Sequence, residues 1–155
     1  MKLKKLEQSF YKNNSHLVEA LDNFNGCWVK GKVRGYGVVV INLNGLTFAI
    51  PLRSNIKHKA AYITVKSAVQ GVKGKGLDFS KAVLITQAGY ISNSPFKISP
   101  QEYKKLQNKD VYITNKFEKY VGRYIKAINV CDKNILQSTE YRFTTLKNYH
   151  GDLGL

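Results

Sequence analysis

The amino-acid sequence predicts an α+β fold: a compact, strongly twisted antiparallel sheet or half-barrel, with peripheral helices packed on it and a helical C-terminal third. Three observations predict it. Tyr36 to Leu43 is dense in β-branched residues and is followed by Asn44-Gly45, a strong two-residue hairpin signal, and by a returning apolar run, Leu46 to Leu52. Ser99-Pro100-Gln101-Glu102 has the form of a capping box with proline at the first helical position. Beyond it, Ile113, Phe117, Tyr120, Val121, Tyr124 and Ile128 recur at helical spacing.

Taken in order, residues 2–7 fit a short strand, although Leu3 and Leu6 do not settle the period. Ser15 reads as the N-cap of a helix through Leu21, closed by Asn23-Phe24-Asn25-Gly26. Pro51 is expected at the end of its strand, where a missing N–H costs nothing. Ala61 to Val65 and Lys81 to Thr86 read as further buried strands, and Gly71 to Gly76 as a mobile basic connection. The capping box opens a helix to about Gln107, the long helix runs from about Asp110 to Val130, and Ser138 is placed as the cap of a last helix through Leu146. No repeat or linker divides the chain, so residues 1–155 form one domain.

Composition narrows the function. Apolar residues make up 43%, which fits a globular protein. The 25 Lys and Arg against 10 Asp and Glu leave +15, an excess that calls for a polyanionic partner, nucleic acid before membrane. The basic N-terminus is followed by no apolar stretch of signal length, and Val38 to Ile41 is too short to cross a bilayer. A cytoplasmic protein with no membrane partner is expected. Cys27 and Cys131 lie in no metal-binding spacing, and two buried free thiols are a more economical reading than a disulfide.

Lys116, Lys119, Arg123 and Lys126 follow i, i+3, i+7, i+10 and place four cations along one helix face, as an RNA-phosphate surface would. The Gly71–Gly76 run lacks the spacing of a nucleotide-triphosphate loop. His16, His58 and His150 are isolated and the acids are scattered, so no metal site and no cofactor are expected. RNA offers chemistry that needs neither, because its own 2′-OH attacks the neighbouring phosphorus. The protein then supplies proton transfer and cations for the charge that develops there. Arg53-Ser54-Asn55-Ile56-Lys57-His58-Lys59 presents such groups directly after a buried strand. Arg53 can clamp non-bridging oxygens, Ser54 can position the phosphate, and Lys57 or His58 can move protons. Surface cations after a strand are common, so on chemistry alone the loop is a candidate.

Three segments together resemble the ToxN/AbiQ family of type III toxin–antitoxin ribonucleases, most closely its TenpN and CptN branch. They are Arg34-Gly35-Tyr36-Gly37-Val38-Val39-Val40, Phe48-Ala49-Ile50-Pro51-Leu52-Arg53-Ser54-Asn55-Ile56-Lys57-His58, and Gly76-Leu77-Asp78-Phe79-Ser80-Lys81-Ala82. A looser match covers Ile98 to Ala127. The resemblance implies a MazF-like twisted sheet and a metal-independent endoribonuclease leaving a 2′,3′-cyclic phosphate on cellular or phage RNA. It also implies inhibition by a small pseudoknot antitoxin RNA, processed from tandem repeats and bound in a closed protein–RNA hetero-oligomer. By the same resemblance the active-site loop maps onto Arg53, Ser54 and Lys57, and an upstream basic position onto Arg34. Lys30, Lys32 and Lys59 are assigned to RNA contact with the helix cations. This chain has Arg53 and an Ile-Lys-His continuation where the ToxN branch has a Thr-Ser-Pro-Lys-like loop, so Ser54, Lys57 and His58 stay open as the proton-transfer group. Asp78 and Lys81 recur in this branch, either as a structural Asp–Lys pair or in the site. The alternative from another class is a non-catalytic RNA-binding module built on the basic helix and exposed tyrosines.

Overall fold

The computed structural model describes residues 1–29 and 37–155. Arg34, Lys30, Lys32 and the start of the Tyr36–Leu43 strand lie outside the described residues.

The chain is a mixed α+β protein built on a seven-stranded sheet in which every described pairing is antiparallel. Its strands are β1 (Lys4–Leu6), β4 (Val38–Leu43), β5 (Leu46–Ile56), β6 (Ala61–Lys66), β7 (Gly74–Asp78), β8 (Val83–Leu84) and β9 (Ile91–Pro95), and β2 (Asn23–Phe24) pairs with β3 (Cys27–Trp28) as a separate hairpin. The order is β6-β7-β5-β4-β1-β9, with β8 also on β5, and among the described residues the strands do not close into a barrel. The helices are α1 (Gln8–Asn13), α2 (Pro100–Leu106), α3 (Asp110–Asn129) and α4 (Lys133–Leu136).

Local signals account for the central hairpin and the two main helices. Asn44 and Gly45 both take positive φ, 51° and 82°, as a tight turn between twisted strands requires. Ser99 Oγ accepts the Glu102 N–H while Glu102 Oε2 accepts the Ser99 hydroxyl. On α3, Ile113, Phe117, Tyr120, Val121, Tyr124 and Ala127 are buried, and Phe117 meets Phe48 of β5 edge-on at 5.2 Å between ring centroids. A second aromatic cluster joins Phe10, Tyr11, Trp28 and Tyr90.

Elsewhere tertiary contacts override the local reading. Ser15 caps no helix: the helix lies upstream at Gln8–Asn13, and Glu19 and Asp22 take φ of 65° and 62°, which a helix excludes. Asn25-Gly26 is instead a hairpin turn between β2 and β3, with φ of 51° and 85°. Pro51 lies inside β5, not at its end. The Leu52 N–H turns to Gly37 O, so by alternation the Pro51 nitrogen faces the other edge. There pairing passes from β8, at Phe48 and Ala49, to β7, at Leu52, and Pro51 falls between the two partners.

Gly74 to Gly76 is not a mobile connection but the start of β7. A Cβ on Gly76 would stand 2.1 Å from Tyr62 O and one on Gly74, at φ 140°, 2.0 Å from Val65 O, so glycine here lets β6 and β7 approach. Lys81–Thr86 is only in part a strand, because Asp78 caps a 3₁₀ turn, Phe79–Lys81, before β8. Ser138 opens no helix through Leu146: its hydroxyl donates to Ile135 O at the end of α4, and a 3₁₀ turn, Thr145–Asn148, follows later. Both cysteines are free and exposed rather than buried, at a hairpin turn and just past the end of α3. No helix among the described residues is long and apolar enough to cross a membrane.

Candidate active site

The site begins with an irregularity in β5. Its pairing with β7 slips between Arg53 and Ile56, and Asn55 takes φ 56°. Such a bulge re-aims side chains at a strand end. It leaves Ser54 and Asn55 exposed while Ile56 returns to the core.

Behind the bulge, Asp78 at the end of β7 has no solvent exposure and gathers three side chains. Arg53 Nη1 donates to Oδ2 at 2.9 Å, and Ser80 Oγ donates to Oδ1 at 2.6 Å. His58 Nε2 stands 3.2 Å from Oδ1. The Ala60 N–H donates to His58 Nδ1 at 3.2 Å, so Nε2 carries the proton and both ring nitrogens are engaged. Burial raises the Asp78 pKa, but the side-chain hydrogen bonds from His58, Ser80 and Arg53 outweigh it and hold the carboxyl below its ordinary value.

Lys81, one turn on, reaches a different set of partners. Nζ donates to Glu19 O and to Phe143 O, each at 2.9 Å, and lies 3.7 Å from Glu19 Oε2. It thereby ties residues 19 and 143 to the strand end, and no Asp78–Lys81 hydrogen-bonded pair forms. Burial lowers its pKa, partly offset by the charges of Glu19 and Asp78. Between the segment 16–26 and the end of β5 opens a cleft of about 940 Å³, lined by Arg53, Ser54 and Lys81 on one side and by Leu17, Asp22 and Phe24 on the other. That volume falls within the range of ligand pockets, roughly 300–1,000 Å³.

The structure thus brings Arg53 and Ser54 to one cleft. The Arg53 side chain is 37% exposed, so its guanidinium keeps donors free of Asp78. Lys57 and Lys59 are exposed just beyond β5, and His58 points inward to Asp78. On α3, Lys119, Arg123 and Lys126 are exposed and Lys116 half-buried. That stripe is not wholly free. Lys116 Nζ reaches Ala61 O at 3.4 Å, and the Arg123 guanidinium lies 5.8 Å over the Tyr141 ring.

The sequence alone leaves Asp78 and Lys81 undecided and does not single out Ser80, Glu19 or Phe24. An Asp-x-Ser at a strand end, Asp78-Phe79-Ser80, and a second Asn-Gly turn at Asn25-Gly26 were the signals available. Among the described residues, no three His, Cys, Asp or Glu side chains gather as a metal site would require. A scan against protein-family models, a search of curated proteins and a search of solved structures each found no match.

Proposed function

We propose that this protein is an endoribonuclease that cleaves RNA without a metal, by attack of the substrate's own 2′-OH, and that it is the toxin of a type III toxin–antitoxin pair. The observation that carries the reading is the convergence of Arg53, Ser54 and Lys81 on one cleft, with Arg53 held by a fully buried carboxylate. The +15 charge supplies the reason for a polyanionic substrate.

In this reading the free donors of Arg53 hold the non-bridging oxygens of the scissile phosphate, and Ser54 fixes its position. Lys57 moves the proton or neutralises the leaving oxygen. Asp78 and His58 are positioning residues: they set the Arg53 guanidinium and brace the bulge. The preference for Lys57 over His58 rests on the engagement of both imidazole nitrogens.

The resemblance to the ToxN/AbiQ family, a MazF-like sheet included, belongs to the same proposal. So do inhibition by a small pseudoknot RNA from tandem repeats, a closed protein–RNA assembly, and a cytoplasmic site of action on cellular or phage RNA. The test is co-expression of the gene with its upstream DNA. The protein alone should arrest bacterial growth, and the pair should grow and yield protein with one discrete small RNA bound. Protein that neither arrests growth nor carries such an RNA would refute the type III assignment and favour a plain RNA-binding module.

A further inference from the structure

The half of the cleft opposite Arg53 is built from residues that phosphate chemistry does not use. Phe24 ends β2 immediately before the Asn25-Gly26 turn, so it sits at the tip of a two-stranded hairpin. It lines the cleft and is 70% exposed, so the ring is open to contact from a ligand in the cleft. Beside it the lining mixes an apolar floor, Leu17, with Asp22, Asn25 and His16, which offer both acceptors and donors.

This wall is not a loose loop. The Val29 N–H donates to Asp22 O at 2.8 Å, Asn23 Nδ2 donates to Ser15 O at 2.9 Å, and Lys81 Nζ donates directly to Glu19 O at 2.9 Å. Lys81 therefore couples the wall to the strand end that carries Asp78.

A flat apolar face with hydrogen-bonding groups beside it, across a cleft from a phosphate-binding cation, matches the chemistry of one unpaired nucleotide. The base stacks and its edge is read, while the backbone lies on the cations. We infer that the 16–26 segment forms a nucleobase subsite, in which an unpaired base adjoining the scissile phosphate stacks on Phe24. This rests on the ribonuclease reading for the identity of the neighbouring phosphate. Phe24 then supplies affinity for an unpaired base, selectivity falls to the polar groups beside it, His16, Asp22 and Asn25, and the recognised nucleotide must be single-stranded.

The test uses four homopolymeric 2′-O-methyl oligoribonucleotides, which lack the nucleophile and cannot be cut. Fluorescence anisotropy is read at salt high enough to suppress non-specific phosphate binding. Phe24→Ala should weaken the tightest of the four by about tenfold to a hundredfold, the range of one lost base–aromatic stack. Phe24→Trp should keep that affinity and Phe24→Leu should lose it, since an apolar contact without a π-face would serve only a packing role. Unchanged affinity of Phe24→Ala for all four would overturn the subsite. Parallel assays on a cleavable transcript separate the two readings. If wild-type protein cuts no RNA but binding still depends on Phe24, the subsite stands and the ribonuclease proposal falls. If Phe24→Ala cuts at the same positions with unchanged KM, the ribonuclease proposal stands and the subsite falls.

Discussion

Arg53 and Asp78, separated by 25 positions in the chain, form a 2.9 Å ion pair in which the carboxylate is fully buried and the guanidinium is 37% exposed. The asymmetry matters. One end of the pair belongs to the core and the other to the cleft, so the carboxylate fixes a cation that still has donors to offer. Removing it by Asp78→Asn should cost about 3 kcal/mol, at the low end for breaking a buried pair because Arg53 can rehydrate. The same pair predicts acid sensitivity. The folded carboxyl titrates below its unfolded value of about 3.9. Its stabilisation is therefore present above about pH 4 and is lost as the pH falls through the folded pKa. Urea melts from neutral to acid pH should show that slope in the wild type and a flatter one in Asp78→Asn.

Lys57 and Ser54 are exposed, and no hydrogen bond or ion pair holds either side chain among the described residues. Lys57→Ala and Ser54→Ala should each slow RNA cleavage about a hundredfold to a thousandfold with Tm unchanged, as loss of a transition-state contact does. His58→Gln should behave in reverse, lowering Tm with a smaller rate loss. A His58 variant that is fully stable but inactive would make His58 the proton-transfer group.

How much of this was legible in the sequence depended on whether the controlling contacts were local. Asn44-Gly45, the Ser99–Glu102 box and the apolar periodicity of α3 act within a few residues, and each appears where its pattern places it. The misreadings fall where a distant partner decides. Lys81 captures Glu19 O across 62 positions in a segment that reads as helix. Pro51 is tolerated because two partner strands meet opposite it. The candidate site divides in the same way. Arg53 and Ser54 are legible as a polar run following apolar strand residues, although they lie within β5 and not beyond it. Lys57, from the same run, does not line the cleft, and the Asp78 hub needs β5 and β7 to be paired first.

The glycines give a clean contrast. Gly76→Ala drives a Cβ into Tyr62 O at 2.1 Å, backbone that cannot step aside. The loss should be about 3 kcal/mol, the upper end of overpacking. Gly122, on the exposed face of α3, has nothing within 4 Å of its Cβ position. Gly122→Ala should stabilise by about 0.5–1 kcal/mol through backbone entropy. Thermal melts of both variants check the pair.

Salt dependence tests the α3 face. Lys119 and Lys126 are exposed, and no partner holds either among the described residues, whereas Arg123 stacks over Tyr141. Replacing Lys119 and Lys126 together by Ala should flatten the dependence of RNA affinity on salt by two contacts. That is roughly 0.7–0.9 log units of affinity per contact for each log unit of salt. An unchanged slope would take α3 out of the RNA interface.

Cleavage by the substrate's own hydroxyl, with protein cations in place of a metal, is open to one direct measurement. Purified protein should be incubated with a structured transcript in excess EDTA, beside the same transcript carrying a single 2′-deoxyribose at the principal cut. This mechanism requires cutting in EDTA, an upstream fragment ending in a 2′,3′-cyclic phosphate, and an intact bond at the deoxy position. Cutting that stops in EDTA and returns with magnesium, or that proceeds at the deoxy position, would contradict it.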